Sequence, residues 1–452
     1  MDLAWSGRRL HFVGIGGAGM SGLALVAREL GADVTGSDRS AGSASATRLR
    51  AAGIVPVEGH AAANVPEGAE VVYSTAISPE NPERAVAERE LHRADLLGEL
   101  TRLKPTIAIT GTHGKTTTSS MVVHALRGCG MDPSYLVGGE VRSTGSNAGW
   151  GTGEWLVVEA DESDRSLLKL DRRVAVLTNA ELDHHATYSS QRDVEATFRE
   201  FLAPAQDAVV WDRPELLALA RPGPFAPLDR ASPRVWPYEA APALTLGGSR
   251  FSLDGVEVVL TVPGAHNALN AAAALTAIKA IGGDVAAAAA ALRDFAGAGR
   301  RFERIGTTPE GAHVVDDYAH HPTEVRATLA AARTLAPRRL VAVFQPHLFS
   351  RTRHHAREFG AALALADLPV VTEVYPARER AEDYPGVSGR LVAEAAADAA
   401  GGRRVAWLPG FGDAERFLRA ELREGDLLVT LGAGDIDALG RSLAGRGRTP
   451  GG

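Results

Sequence analysis

Apolar and polar residues alternate along this chain in one recurring unit. A short β-branched run is followed by a polar or glycine-rich turn, then by apolar residues at helical spacing. Residues 10–13 are such a run, leading through Gly14-Ile-Gly-Gly-Ala-Gly19 into a helix that reaches residue 30. Residues 33–37 form a second strand closed by Asp38, and residues 71–74 a third, ending at Ser74. A turn over residues 78–82 then opens a predicted helix to His92, and Pro105 leads into the strand 107–109. Further on, the strands 155–158 and 174–178, a helix over 192–202, an irregular proline-rich stretch over 213–242 and a hairpin around Asp254-Gly255 are expected. An alanine-rich helix starts near residue 263. Strands at 314–315, 340–344, 370–375 and 427–431 follow, with a helix from Pro322 to residue 335 and a disordered tail over 445–452. Strands alternating with helices predict parallel α/β sheets.

At 452 residues the chain is long enough for about three such domains. The expected division is 1–103, a Rossmann-like domain; 104–297, a central P-loop domain; and 298–452, a second Rossmann-like domain entered through Gly297-Ala-Gly299. A net charge of −7 argues against a nucleic-acid surface. No apolar run is long enough to span a bilayer, and the N-terminus lacks signal-peptide order. A single cysteine, Cys129, suits a reducing compartment, so a cytoplasmic protein, monomeric or weakly dimeric, is expected.

The chemistry concentrates at strand ends. Residues 106–118, Thr-Ile-Ala-Ile-Thr-Gly-Thr-His-Gly-Lys-Thr-Thr-Thr, read as strand, glycine turn and helix start. Gly111 and Gly114 let the backbone wrap a polyphosphate, with the amides at the helix start facing it. Lys115 is expected to bridge the β- and γ-phosphates of a nucleotide, and the Thr116 hydroxyl to ligate Mg²⁺. The general pattern wants glycine where Ile109 stands. Acidic residues follow the next strand, Glu159-Ala-Asp-Glu-Ser-Asp164, where a carboxylate can bind that metal. A second polar cluster, Asn179-Ala-Glu-Leu-Asp-His-His185, follows the strand after it. Asn267 and Asn270 share a helix face and suggest recognition of a purine edge; a plain N-cap would account for one of them.

The first turn fits G-x-G-x-x-G at Gly14, Gly16 and Gly19, with Asp38 placed to meet a ribose. That motif reports a diphosphate near a helix N-terminus without saying which nucleotide carries it, so an NAD-dependent oxidoreductase stands as a rival reading.

Taken together, Gly14-Ile-Gly-Gly-Ala-Gly-Met-Ser-Gly22, the P-loop, Glu159–Asp164, His266-Asn-Ala-Leu-Asn-Ala271, Arg300-Arg-Phe302, Asp316-Asp-Tyr-Ala-His-His-Pro-Thr-Glu324 and Phe344-Gln-Pro-His347 resemble the Mur ligases of peptidoglycan synthesis. The resemblance covers residues 14–435. It implies ATP-dependent activation of the lactyl carboxylate of UDP-N-acetylmuramate as an acyl phosphate, then attack by the amine of L-alanine, with release of ADP and phosphate. It further implies that Gly14, Gly16, Gly17, Gly19, Met20, Ser21, Asp38 and Ser74 hold the UDP-sugar. Gly111, Thr112, His113, Gly114, Lys115, Thr116, Thr117, His266, Asn267 and Asn270 would bind ATP, and Thr116, Glu159 and His184 would bind Mg²⁺. Arg301 and Asp317 would reach the ATP from the third domain, and Tyr318, His347 and Arg351 would line the amino-acid pocket. The chain departs from the family in carrying Ala186 where an aspartate is common and Leu348 where an arginine is common. The absence of lysine between Lys169 and Lys279 excludes the carbamylated lysine of later-acting relatives. A ligase adding a preformed tripeptide, and a relative that binds nucleotide without catalysis, are the alternatives within the fold.

Overall fold

The predicted strands form because each β-branched run is buried on both faces, as a parallel sheet with helices above and below requires. The computed structural model describes residues 4–40, 44–184, 187–221 and 232–445. Ala186 and most of the tail expected to be disordered, together with residues 222–231 of the proline-rich stretch, lie outside the described residues.

The chain divides into two compact units: residues 1–239 with 270–292, and residues 240–269 with 293–452. The first contains two sheets. β1 (Arg9–Val13), β2 (Asp33–Asp38), β3 (Val57–Glu58), β4 (Glu70–Tyr73) and β5 (Arg89–His92) pair in parallel in the order β3-β2-β1-β4-β5. They alternate with α1 (Ala18–Glu29), α2 (Ala44–Ala51), α3 (Pro82–Ala85) and α4 (Arg93–Thr101). Strand order reverses at β1, so the crevice between the ends of β1 and β4, flanked by the Gly14 turn and Ser74, is the ligand position of such sheets.

The second sheet has the order β12-β11-β10-β6-β9-β7-β8. Its strands are β6 (Thr106–Thr110), β7 (Ser134–Val141), β8 (Ser146–Gly149), β9 (Leu156–Glu159), β10 (Val174–Leu177), β11 (Asp207–Trp211) and β12 (Arg234–Tyr238). All pairs are parallel except the β7–β8 hairpin. α5 (Lys115–Gly128), α6 (Gln191–Leu202) and α7 (Pro214–Leu217) connect them. One apolar core runs from Phe12 and Leu23 through Ala148 to Phe198. α1 reaches the hairpin closely: Asn147 Nδ2 donates to Ala18 O at 2.8 Å, and a Cβ on Gly22 would lie 3.2 Å from that of Ala148.

The second unit carries the antiparallel β13 (Ala243–Thr245), β14 (Gly248–Leu253) and β15 (Val256–Leu260), the expected hairpin turning at Asp254-Gly255. After α8 (Ala265–Ala280) and α9 (Val285–Leu292), whose residues 270–292 belong to the first unit, come β16 (Glu303–Thr307), β17 (His313–Asp317), α10 (Pro322–Arg333), β18 (Arg339–Phe344), α11 (Phe349–Leu363) and β19 (Leu368–Val371). The chain closes with α12 (Gly389–Ala399), β20 (Ala406–Trp407), α13 (Phe411–Glu421), β21 (Asp426–Leu431) and α14 (Ile436–Leu443). The last sheet has the order β16-β17-β21-β18-β19-β20, with only β16 antiparallel.

Two segments differ from the sequence pattern. The helix expected to run from Pro82 to His92 stops at Ala85, and residues 89–92 form β5 instead. Leu91 is buried while Val86 is exposed, and the free hydrogen-bonding edge of β4 recruits the segment. The stretch expected to be irregular includes β12 with Pro237 inside it, tolerated because β12 is an edge strand.

Gly36 in β2 has no space for a side chain: a Cβ would stand 2.6 Å from Phe12 O and 2.7 Å from Ile15 Cδ1. Gly36→Val should therefore destabilise the protein by about 1–3 kcal/mol through overpacking, read as a lowered urea midpoint.

Candidate active site

β6 ends at Thr110 in a fully buried position, and the chain turns through two left-handed glycines before α5. Gly111 has φ +132° and a Cβ there would collide with Thr178 Oγ1; Gly114 caps α5 at φ +82° with Asn270 Oδ1 2.5 Å from where its Cβ would be. Neither position accepts a side chain. The loop is fixed from β10: Thr178 Oγ1 donates to His113 O at 2.6 Å, the His113 amide donates to Asn179 Oδ1 at 2.9 Å, and Thr112 Oγ1 donates to Glu181 O at 2.9 Å. The cluster after β10 thus splints the phosphate loop.

Lys115 folds back over this loop. Its Nζ donates to Gly111 O at 2.6 Å and Thr112 O at 3.1 Å and pairs with Glu162 at 2.8 Å. Burial works to lower its pKa, but Glu162, Asp161 and Glu159 overcome that and hold the ammonium above its ordinary value. Thr116 Oγ1 donates to Glu159 Oε1 at 3.1 Å, and Glu159 Oε2 accepts the Gly138 amide at 2.7 Å. A hydroxyl and a carboxylate so paired are the hard oxygen donors that suit Mg²⁺.

His184 lies with its Nε2 3.4 Å from Glu162 Oε1 and 3.8 Å from Asp183 Oδ2, on a left-handed backbone of φ +52°. Two of the three expected metal ligands, Thr116 and Glu159, are in direct contact, while His184 is joined to Lys115 through Glu162. Glu162 is the residue the sequence reading left without a role. Buried at the loop's centre, with Tyr188 Oη donating to its backbone carbonyl at 2.6 Å, it stands between Lys115 and His184. Its signal was its place in the same acidic run as Glu159, but spacing alone did not say which carboxylate faced the lysine.

On the N-terminal sheet, Gly14 takes φ +74° and Gly17 caps α1 without a side-chain bond. Asp38 Oδ2 accepts the Gly16 amide at 2.8 Å, so in this structure the carboxylate braces the glycine turn. Met20 and Ser21 are buried on α1, and Ser74 O accepts the Ile77 amide. On α8, Asn270 stands at Gly114, and Asn267 Nδ2 donates to Pro263 O at 2.8 Å. Desolvation pushes the His266 imidazole down to about 4, so it is neutral at pH 7.

In the second unit, the two arginines that follow Gly299 divide. Arg300, at φ +53°, donates to Asp316 Oδ2 at 2.9 Å, Gly434 O at 2.9 Å and Gly432 O at 2.8 Å. Arg301 lies 3.8 Å from Glu324 and over the Tyr318 ring. Asp317 accepts the Phe302 and Ala319 amides, each at 2.8 Å; burial pushes its carboxyl up to about 6 against the pull of Arg301. Tyr318, His320, His347 and Tyr375 form a ring ladder, with His347 stacked on Tyr375 at 5.7 Å and Arg351 Nη1 3.1 Å from His347 Nδ1. The expected pocket residues Tyr318, His347 and Arg351 therefore cluster, and His320 and Tyr375 join them. Leu348 sits at φ +69°, and Arg353 lies over Tyr384.

Comparison with known proteins matches three segments to the Mur ligase family: the catalytic domain at residues 9–104, the middle domain at 109–278 and the glutamate ligase domain at 300–434. The UDP-N-acetylmuramate–L-alanine ligase of Acidithiobacillus ferrooxidans is 44% identical, over 96% of each chain. That of Rubrobacter xylanophilus is 43% identical, over 97% of this chain and all of its own. Among solved structures, the UDP-N-acetylmuramate–alanine ligase of Thermotoga maritima superposes with a TM-score of 0.80 at 28% identity, covering 97% of this chain and 98% of its own. The murein peptide ligase of Psychrobacter arcticus gives 0.71 at 25%, covering 97% of this chain and 98% of its own.

On the phosphate-binding role expected of this loop, removing the Glu162 carboxylate has a definite sign. In Glu162→Gln, metal-free ATP should bind roughly tenfold more tightly than to the parent, because one like charge is gone and Lys115 is released. Isothermal titration in EDTA measures this; unchanged or weaker binding would contradict the assigned electrostatics.

Proposed function

The chain belongs to the Mur ligase family, and on that premise we propose the following reading of its site. The protein is an ATP-dependent ligase that joins L-alanine to the lactyl carboxylate of UDP-N-acetylmuramate, through an acyl phosphate, releasing ADP and phosphate. The observation that carries the site reading is the Lys115–Glu162 and Thr116–Glu159 pairing at adjacent strand ends of one sheet.

A carboxylate attacking an anionic phosphate meets like-charge repulsion, and the catalytic task is to position and neutralise. The loop amides and Lys115 bind the β- and γ-phosphates, and Asn270, beside Gly114, orients the nucleotide. Thr116 and Glu159, with His184, would hold Mg²⁺, which when bound supplies further neutralisation of phosphate charge. The family resemblance gives Arg301 and Asp317 a role toward ATP. The Gly14 turn and the start of α1 take the UDP-sugar diphosphate, with Asp38 keeping the turn in shape. The ladder of Tyr318, His347 and Tyr375, with Arg351, receives the amino acid. Among the described residues no helix is long and apolar enough to cross a membrane, which is compatible with a cytoplasmic role.

A mixture of protein, Mg-ATP, UDP-N-acetylmuramate and L-alanine should release phosphate only when all are present, with product mass confirming one added alanine. Equal turnover without the UDP-sugar would defeat the reading, and faster product formation with a preformed tripeptide would favour the recycling alternative. Lys115→Ala should lower amide formation by orders of magnitude while UDP-sugar binding survives, since the lysine does not belong to the glycine turn. Loss of UDP-sugar binding in that variant would contradict the assignment of separate sites.

A further inference from the structure

Arg93 opens α4 at the C-terminal end of β5, on the same sheet edge as the Gly14 turn. Its Nη2 lies 3.4 Å from Asp161 Oδ2 and 3.4 Å from Asp164 Oδ2, both in the acidic loop that surrounds Lys115. Its Nη1 is 3.4 Å from the point a Cβ on Gly19 would occupy, in the first turn of α1. One guanidinium therefore reaches from the glycine turn to the acidic loop. The connection is short and stiff. α4 approaches the 3₁₀ turn Ser166–Lys169 so closely that a Cβ on Gly98 would stand 2.8 Å from Lys169 O, and Lys169 Nζ pairs with Asp95 at 2.7 Å.

A guanidinium offers donors on several sides but a single positive charge. A diphosphate seated on the amides of the Gly14 turn would compete with Asp161 and Asp164 for that charge. Drawing Arg93 toward α1 leaves the acidic loop more negative, and a more negative loop favours a divalent cation beside Glu159 and opposes a bare anionic nucleotide.

We propose that Arg93 is a positioning residue through which occupancy of the glycine turn by the UDP-sugar raises the affinity of the phosphate loop for magnesium-loaded nucleotide. This inference rests on the ligase reading above. Linkage requires the reciprocal effect, nucleotide strengthening the UDP-sugar by the same factor.

Titration calorimetry on the full chain tests it. The affinity of a magnesium-loaded, non-hydrolysable ATP analogue is measured with and without saturating UDP-N-acetylmuramate, in the parent, Arg93→Met and Asp164→Asn. The parent should show tightening of at least about fivefold, Arg93→Met a ratio near 1, and Asp164→Asn a ratio between them. In EDTA the UDP-sugar should weaken, or leave unchanged, analogue binding to the parent. A residue with a merely structural role would alter both affinities and preserve their ratio. A parent ratio near 1, or a parent-like ratio in Arg93→Met, overturns the proposal; if that variant fails to fold by near-ultraviolet circular dichroism, the Asp164→Asn ratio decides. A parent that binds the analogue but no UDP-sugar would instead refute the ligase reading itself, a result distinct from a preserved ratio.

Discussion

One ammonium group organises the loop between β6 and α5. Glu159, Asp161 and Glu162 stand within four residues of one another at the end of β9, and three carboxylates so placed repel unless a cation lies among them. Lys115, one of very few lysines in an arginine-rich chain, is that cation. Its position depends on two glycines whose backbone no other residue adopts at low cost, and on β10, whose polar end splints the loop through Thr178 and Asn179. Without this arrangement the three carboxylates would face one another uncompensated. Asp161 illustrates the balance: desolvation works against its charged form, yet Lys115, the Ser163 amide and Arg93 together hold its carboxyl below the usual range.

The glycine turn of the first sheet is supported in a comparable way, by contacts distant in sequence. Asn147 and the small residues Gly22 and Ala148 let α1 rest on the β7–β8 hairpin, while Asp38 secures the Gly16 amide. Trp150 donates its amide to Glu29 at the far end of α1, where burial raises the carboxyl pKa. Small residues allow backbone to approach backbone, and polar groups pin the result.

In the second unit, strain and hydrogen bonding coincide. Arg300 and Phe302 both take left-handed backbone conformations, which are costly for non-glycine residues. Three hydrogen bonds from the Arg300 side chain and one from the Phe302 amide to Asp317 offset that cost. The outcome frees Arg301 to face Tyr318 and Glu324. Leu348 is likewise left-handed at the start of α11, directly between His347 and the helix that carries Arg351.

Local pattern was sufficient for much of this protein. β-Branched runs, glycine turns and helical spacing are short-range signals, so the α/β class, the strand, glycine turn and helix start within residues 106–118, the Gly14 turn and the hairpin at Asp254-Gly255 were all legible in the chain alone. The motifs also carried the family resemblance, because they are contiguous. What the sequence could not decide depended on partners far away along it. Whether residues 89–92 continue a helix or join a sheet turned on the free edge of β4. Which of Glu159, Asp161 and Glu162 meets Lys115 turned on side-chain direction after β9, and which of Arg300 and Arg301 is structural turned on the carbonyls of Gly432 and Gly434. Arg93 carried no motif at all. Its place between α1 and the acidic loop exists only because the ends of β1 and β5 in one sheet and of β9 in another are packed into one neighbourhood, and that is a property of tertiary packing.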